Sequence, residues 1–439
     1  MRCLRVNPIT FSIYLDLTLY LFNLSVDIVY MSYYSKFPDK EALFKKADTL
    51  QDWTSPKVNA HMHTPYSFSA FENIPQALDM AVAEEVKVVG INDFYTTDGY
   101  AEWARECEAR KLFPLFNIEF ISLNREDQVN NIRVNDPNNP GRTYLSGKGL
   151  SFPVQLENPY LQQLIDVRNE SNHHVEQMCT ILNLVLEEHG ANFKLSYPDI
   201  EKEMTHGNVR ERHLAKALRL KIEEHFSADE SKIEFYKKIF GGKKLKSDII
   251  DFAAVENEIR GNLLKAGGGA FIPEDPAAFL DMEAVRQIIL QSGGIPTYPF
   301  LADDAKGNFT DFEEDKEKVA GLLKERGIAS IEFITTRNSV KVLEEYADYF
   351  YKNGFVVTFG SEHNTPAMEP IELFARGKTP LSPKLMEINL KGASVTAAHQ
   401  YLVAKGEKGY VDLKGEPDVN QRDMYEKLGR ALIEFANQY

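Results

Sequence analysis

The chain has 439 residues, 43% of them hydrophobic and 26% charged, with no low-complexity tract; that is ample material for a buried core and excludes disorder as the default state. A formal net charge of -15 argues against non-specific affinity for a nucleic-acid backbone, so duplex nucleic acid is not an expected partner, although a local basic pocket for one phosphate is compatible with it. The three cysteines, Cys3, Cys107 and Cys179, are odd in number and widely spaced, which excludes a disulfide framework or zinc-thiolate motif and fits reduced thiols in a cytoplasmic protein.

Residues 9–31 are rich in Leu, Ile, Tyr and Phe and follow Arg2 and Arg5, the outline of a signal or membrane-anchor segment. Asp16 and Asp27 interrupt the run, no Ala-x-Ala pattern follows, and an acid at the centre of a membrane helix costs about 2.5 to 3.5 kcal/mol. The preferred reading takes residues 1–30 as a non-native extension upstream of a start at Met31, with an anchor or signal as the alternative. No membrane role is expected for the domain that follows.

Residues 31–56 read as a lead-in containing a short charged helix. The run Lys57-Val-Asn-Ala-His61-Met-His63 then reads as a strand, with Thr64-Pro65 ending it. Ile74, Leu78, Ala81 and Val82 recur at helical spacing, and Lys87-Val-Val-Gly-Ile-Asn-Asp93 is a continuous apolar run of the kind buried in a parallel sheet. A helix over 100–110 precedes a strand over 115–122. Residues 124–153 are rich in Asn, Asp, Pro and Gly and read as a loop or irregular hairpin.

A long helix over 159–189 leads to a mainly helical insertion at about 197–269, ending in the glycine cluster 267–269, a hinge with no Lys-Ser/Thr after it and so no nucleotide P-loop. Helices over 276–291, 314–326 and 340–353 then alternate with strands over 294–299, 329–334 and 355–361. Helices from Ser394 and from Gln421 make up a C-terminal extension over 371–439. Six or seven parallel strands with helical crossovers, and no Gly-x-Gly-x-x-Gly turn after the first, predict a distorted (β/α)7-type barrel rather than an open sheet.

Functional residues of such a barrel sit at the C-terminal ends of its strands. Those ends carry His61 and His63, Asp93, Glu119, Tyr298, Glu332, and Glu362 with His363. His61 and His63 share one strand face, half of a metal site, and imidazole plus carboxylate suits zinc, manganese or iron. Glu332 also reads as a cap or ion pair inside the barrel mouth, and the remaining histidines read as surface or capping groups.

The set His61-Met-His63-Thr, Ile91-Asn-Asp93, Asn117-Ile-Glu119, Val209-Arg-Glu-Arg-His213, Gly293-Gly-Ile-Pro-Thr-Tyr298-Pro, Ala329-Ser-Ile-Glu332 and Phe359-Gly-Ser-Glu362-His363 resembles, in order, the PHP family of metal-dependent phosphoesterases. The resemblance spans roughly 57–368 and implies that His61 and His63 form a first metal pair and Glu119 bridges, with His213, Glu362 and His363 as further expected metal ligands, His363 standing one position early. It also implies one or two divalent ions (Mn, Zn or Fe), a metal-bound hydroxide as nucleophile, a small phosphorylated substrate oriented by Arg210 or Arg212, and catalytic parts for Asp93 and for Tyr298, the latter as a ligand or hydrogen-bond donor.

The departures are Phe68, Phe94, Tyr298 and Asn364, where the family has an acid or histidines, and Glu362, where it has Asp. A phenyl ring cannot bind such a cation, so a third metal is not expected. Two other readings stay open: a catalytically decayed protein that binds a phosphorylated ligand, and a metal-dependent amidohydrolase, which would add a lysine or a later Asp as general base.

Overall fold

The computed structural model of the chain describes residues 33–273, 275 and 278–438. The predicted apolar segment 9–31 lies outside the described residues, as does the start of the helix predicted at 276. Seven strands form one sheet in sequence order: β1 (Lys57–Met62), β2 (Val86–Phe94), β3 (Phe113–Leu123), β4 (Arg142–Lys148), β5 (Ile295–Phe300), β6 (Ser330–Ile334) and β7 (Val356–Gly360). The sheet curls until its edges meet at the mouth, where the Glu362 N–H donates to the His61 carbonyl (3.0 Å) and the His63 N–H to the Glu362 carbonyl (2.7 Å). There β7 comes so near β1 that a Cβ on Gly360 would lie 2.2 Å from the His61 Cβ, a separation only glycine allows.

The barrel is the expected one with a correction: the strands are not all parallel. β4 runs antiparallel to both β3 and β5, and it lies within the stretch read as a loop or irregular hairpin, where it forms the returning strand of an antiparallel pair with β3. Asn, Pro and Gly before Arg142 masked it, yet within β4 Leu145 and Gly147 face the outer core while Ser146 and Lys148 face the barrel interior, a period of two.

Helices Ile74–Ala83, Met282–Gln291, Lys316–Glu325 and Val340–Lys352 begin on side-chain caps from Asn73, Asp281, Asp315 and Ser339. Their apolar faces bury Ile91, Phe116, Ile331, Phe333, Val357 and Phe359, the outward residues of the strands. A second core plugs the other end: Val88, Phe113, Leu115, Ile295 and Val356 pack against helices Pro383–Ala404 and Arg422–Gln438. The first of these helices starts well before the predicted Ser394, because Ser382 caps it and Pro383 occupies its first turn. Asn389 ties it to the barrel, donating to the Val58 carbonyl (3.1 Å) and accepting from the Phe359 N–H (2.8 Å).

The helical insertion has its own core, which begins at Val175 within the long helix Tyr160–Glu188 and includes Leu182, Leu214, Leu218, Tyr236 and Val255. It stands beside the barrel mouth. No helix among the described residues is long and apolar enough to cross a membrane.

Candidate metal centre

Because strand side chains alternate, parity along each strand decides which residues reach the interior. On β3 the inward set includes Asn117 and Glu119, on β4 Ser146 and Lys148, and on β6 Glu332; β1 contributes His61, and His63 follows directly after its end, both fully buried. At the mouth, three donor atoms converge. The His63 Nε2 lies 3.0 Å from the Glu119 Oε2, the His61 Nε2 lies 3.6 Å from the same oxygen, and the two Nε2 atoms are 3.3 Å apart. Ligand atoms of a tetrahedral ion with bonds of about 2.0–2.1 Å stand roughly 3.3–3.4 Å apart, so the triangle already has the right edge length.

The donor chemistry fits a cation as well. The His61 Nδ1 meets the Glu332 carboxylate at 3.0 Å, and the His63 Nδ1 meets the Ser67 hydroxyl at 3.2 Å, which in turn donates to Asp93 at 2.5 Å. Both ring protons therefore sit on Nδ1 and both Nε2 lone pairs lie beside the Glu119 Oε2, a buried oxygen with no hydrogen-bond donor; the Asn92 amide nitrogen also lies 3.0 Å from the His61 Nε2. Burial pushes the Glu119 carboxyl up to about 8, with His61 opposing and Glu362 and Glu332 adding to the rise. Three lone pairs aimed at one point repel one another unless a proton or a cation lies between them. Two imidazoles and a carboxylate suit zinc, manganese or iron.

Behind His61, the Glu332 carboxylate accepts from three donors: Lys148 Nζ (2.6 Å) and His61 Nδ1 (3.0 Å) on one oxygen, and the Ser146 hydroxyl (2.7 Å) on the other. Lys148 and His61 together hold this carboxylate well below the usual range despite its burial. Lys148 also donates to Asn92 Oδ1 (3.2 Å). The sequence reading left Glu332 between a functional strand-end acid and an ion pair inside the mouth, and missed Lys148 and Ser146 on β4.

Five of the expected site residues are placed differently. Asp93 has the outward parity of β2, opposite to Asn92, so it reaches the turn after β1 and accepts from the Thr64 N–H (2.8 Å) and from Ser67; it orients His63 from behind. Tyr298 likewise points out of the barrel, between the inward Thr297 and Pro299, and donates to Glu313 at 2.8 Å among Phe300 and Phe312. His213 caps its helix: its Nδ1 accepts the Arg210 N–H at 2.9 Å, which leaves the proton on Nε2 and no lone pair for a cation. Burial holds its imidazolium down to about 3. His363 accepts from the Ser361 hydroxyl (2.7 Å) and donates to the Glu369 carbonyl (2.9 Å), so both nitrogens are engaged. Glu362 lines the cleft, but its carboxylate turns to the Arg337 guanidinium and to the Asn364 amide (2.8 Å), outside the group formed by His61, His63 and Glu119.

The cleft above the trio has a volume of about 1340 Å³ and is walled by the insertion. The Phe94 ring stacks on His63 (5.0 Å between centroids), and the Arg210 guanidinium lies over Phe94 at 4.7 Å, tethered to the Ser171 hydroxyl at 2.9 Å. Arg212 lies over Phe68 at 5.6 Å. Glu211 between them is taken by Arg260 and Lys265, each at 2.9 Å, so among the described residues neither Arg210 nor Arg212 has a carboxylate ion-pair partner. Burial and the neighbouring Arg260 push Arg212 down to about 10. Glu211 is shared among Arg210, Arg212, Arg260 and Lys265, and Glu362 also acts on Arg212, so the two guanidinium groups stacked on phenyl faces keep an excess of positive charge that suits an anion.

No protein-family model and no curated protein sequence matches the chain. Among solved structures, a Bifidobacterium adolescentis protein described as a metal-dependent phosphoesterase superposes with a TM-score of 0.52 at 14% identity, covering 76% of this chain and 96% of that one. An amidohydrolase from Chromobacterium violaceum, solved with bound sulfate and no metal, gives a TM-score of 0.49 at 15% identity over 76% of this chain and 96% of its own. At such identities the first likeness is one of fold, and the chemistry of the site stands on the geometry of its own residues.

Proposed function

We propose that the chain is a metal-dependent hydrolase of a phosphate ester on a small phosphorylated molecule, with His61, His63 and Glu119 as ligands and Arg210 and Arg212 receiving the phosphate. The observation that carries this reading is the convergence of three ligand atoms, one an orphaned buried oxygen, beside two guanidinium groups that have no carboxylate within ion-pair distance among the described residues. A divalent ion held there would polarise the phosphoryl group and make water a nucleophile near neutral pH. The chain's own residues do the rest. Glu332 and Ser67 fix the two imidazole tautomers, Phe94 and Phe68 keep water off one side, and the arginines hold the phosphate oxygens toward the trio.

The amidohydrolase alternative would draw on a lysine or a later Asp as general base. Lys148 does reach the interior, but its ammonium is ion-paired with Glu332 and does not line the cleft, which leaves it no such part. A phosphate-binding protein without turnover is the remaining competitor, favoured by the phenyl ring of Phe94 lying flat on His63. Assay of the zinc-, manganese- or iron-loaded protein with a chromogenic phosphate ester and a chromogenic amide separates the three. Phosphate release lost on chelation supports the proposal; amide cleavage alone, or bound metal with no turnover of either compound, contradicts it.

A further inference from the structure

Lys148 is 1% exposed and lies in the middle of the barrel. Lysine is rarely buried so fully, and replacing a buried ion pair with apolar side chains of similar volume is often neutral or stabilising. The Lys148–Glu332 pair is therefore poorly explained as a stabiliser. Its geometry suggests a different use. Oε2 of Glu332 is shared by Lys148 Nζ at 2.6 Å and His61 Nδ1 at 3.0 Å, while Oε1 takes the Ser146 hydroxyl at 2.7 Å. Every neighbour of the Glu332 carboxylate is a donor, and a carboxylate accepts at both oxygens, so the arrangement holds together in one sense only: the ring proton of His61 on Nδ1 and its lone pair on Nε2, between the Asn92 amide nitrogen (3.0 Å) and Glu119 (3.6 Å). Lys148 also reaches Asn92 Oδ1 (3.2 Å) and the Ala60 carbonyl (3.4 Å), contacts that fix where its ammonium sits.

We infer that Lys148, delivered by the antiparallel strand β4, is a positioning residue for the metal centre: it pins the Glu332 carboxylate against His61 so that the imidazole presents Nε2 to the ion. The inference rests on the metal reading of His61, His63 and Glu119. Lys148 touches neither substrate nor ion; it acts through Glu332.

Zinc affinity, measured by competition with a chromophoric chelator, is compared for the native sequence, Lys148→Met, and the double variant Lys148→Met with Glu332→Gln, beside thermal unfolding of each zinc-free protein. Loss of a group that orients a metal-binding histidine typically weakens binding about 10- to 100-fold, and Lys148→Met is expected to do so. The single variant leaves a buried carboxylate uncompensated, so it also unfolds more easily. The double variant removes that charge and is expected to recover thermal stability while zinc binding stays at least about tenfold weak. If the double variant recovers zinc affinity along with stability, Lys148 merely balances charge and the inference fails. It fails too if Lys148→Met binds zinc within threefold of native. Should Lys148→Met not fold, the double variant decides alone. A native protein that binds no zinc would instead overturn the metal centre itself.

Discussion

His61 and His213 are both buried imidazoles beside the same barrel mouth, and their partners give them opposite work. The Nδ1 of His61 faces an acceptor, the Glu332 carboxylate, so its Nε2 keeps a lone pair, which has Asn92 Nδ2 at 3.0 Å as well as His63 and Glu119 beside it. The Nδ1 of His213 faces a donor, the Arg210 N–H, so its Nε2 is protonated and its task is to cap a helix. His63 and His363 repeat the contrast: the first keeps one nitrogen open to the trio, whereas the second has both nitrogens consumed by Ser361 and the Glu369 carbonyl. Residue type and nearness to the mouth do not make a ligand; the partner on the other ring nitrogen does.

The sharpest way to break this contrast is to remove each class in turn. Replacing His61 and His63 by Ala should abolish stoichiometric metal binding and lower phosphate-ester turnover by about 100-fold or more, measured by elemental analysis and steady-state kinetics. His213→Ala should leave metal content unchanged. A metal loss in His213→Ala equal to that of the His61/His63 variant would erase the distinction.

Arg210→Ala should leave metal content unchanged too, yet weaken substrate binding by roughly 10- to 100-fold, the worth of a charge-assisted hydrogen bond of about 1.5–3 kcal/mol. The corresponding readout is KM or product-inhibition by inorganic phosphate. A variant with native KM would remove Arg210 from the phosphate site.

Smaller effects sharpen the capping half of the comparison. His213→Ala should cost about 0.5–2 kcal/mol of stability, as cap losses do, and His213→Asn, which can still accept the N–H, should cost less. The imidazolium of His213 is held down to about 3 from an ordinary value of 6.5, so the folded state resists protonation there. This contribution to stability is whole above about pH 6.5 and is lost as pH falls toward 3. Denaturant unfolding between pH 7 and 4 should therefore show a shallower acid decline in His213→Asn than in the native chain; identical slopes would contradict the buried, neutral imidazole.

Much of the fold was legible because the parallel strands announce themselves as apolar runs, such as Lys87 to Asp93, separated by helices with side-chain caps. β4 was not, since its pattern is only seven residues long and follows a Pro- and Asn-rich loop. That one omission hid Lys148 and Ser146. The sequence named His61, His63 and Glu119, and their donor atoms do come together, although Glu119 lies within β3 rather than at its end. Asp93 and Tyr298 also stand at strand ends, but end position without register says nothing about inside and outside, and both turned out to be on the outward side. The roles of His213 and His363 could not be read at all from sequence, because a tautomer is set by a partner distant in the chain or supplied by backbone geometry.

The most direct test of the central claim is the metal content of protein purified without chelator and dialysed against a trace of zinc or manganese, with the His61/His63 double alanine variant alongside. Close to one bound ion per native chain and none in the variant is the predicted result. Metal-free native protein, or equal metal in both, would contradict the claim that His61, His63 and Glu119 form a cation site.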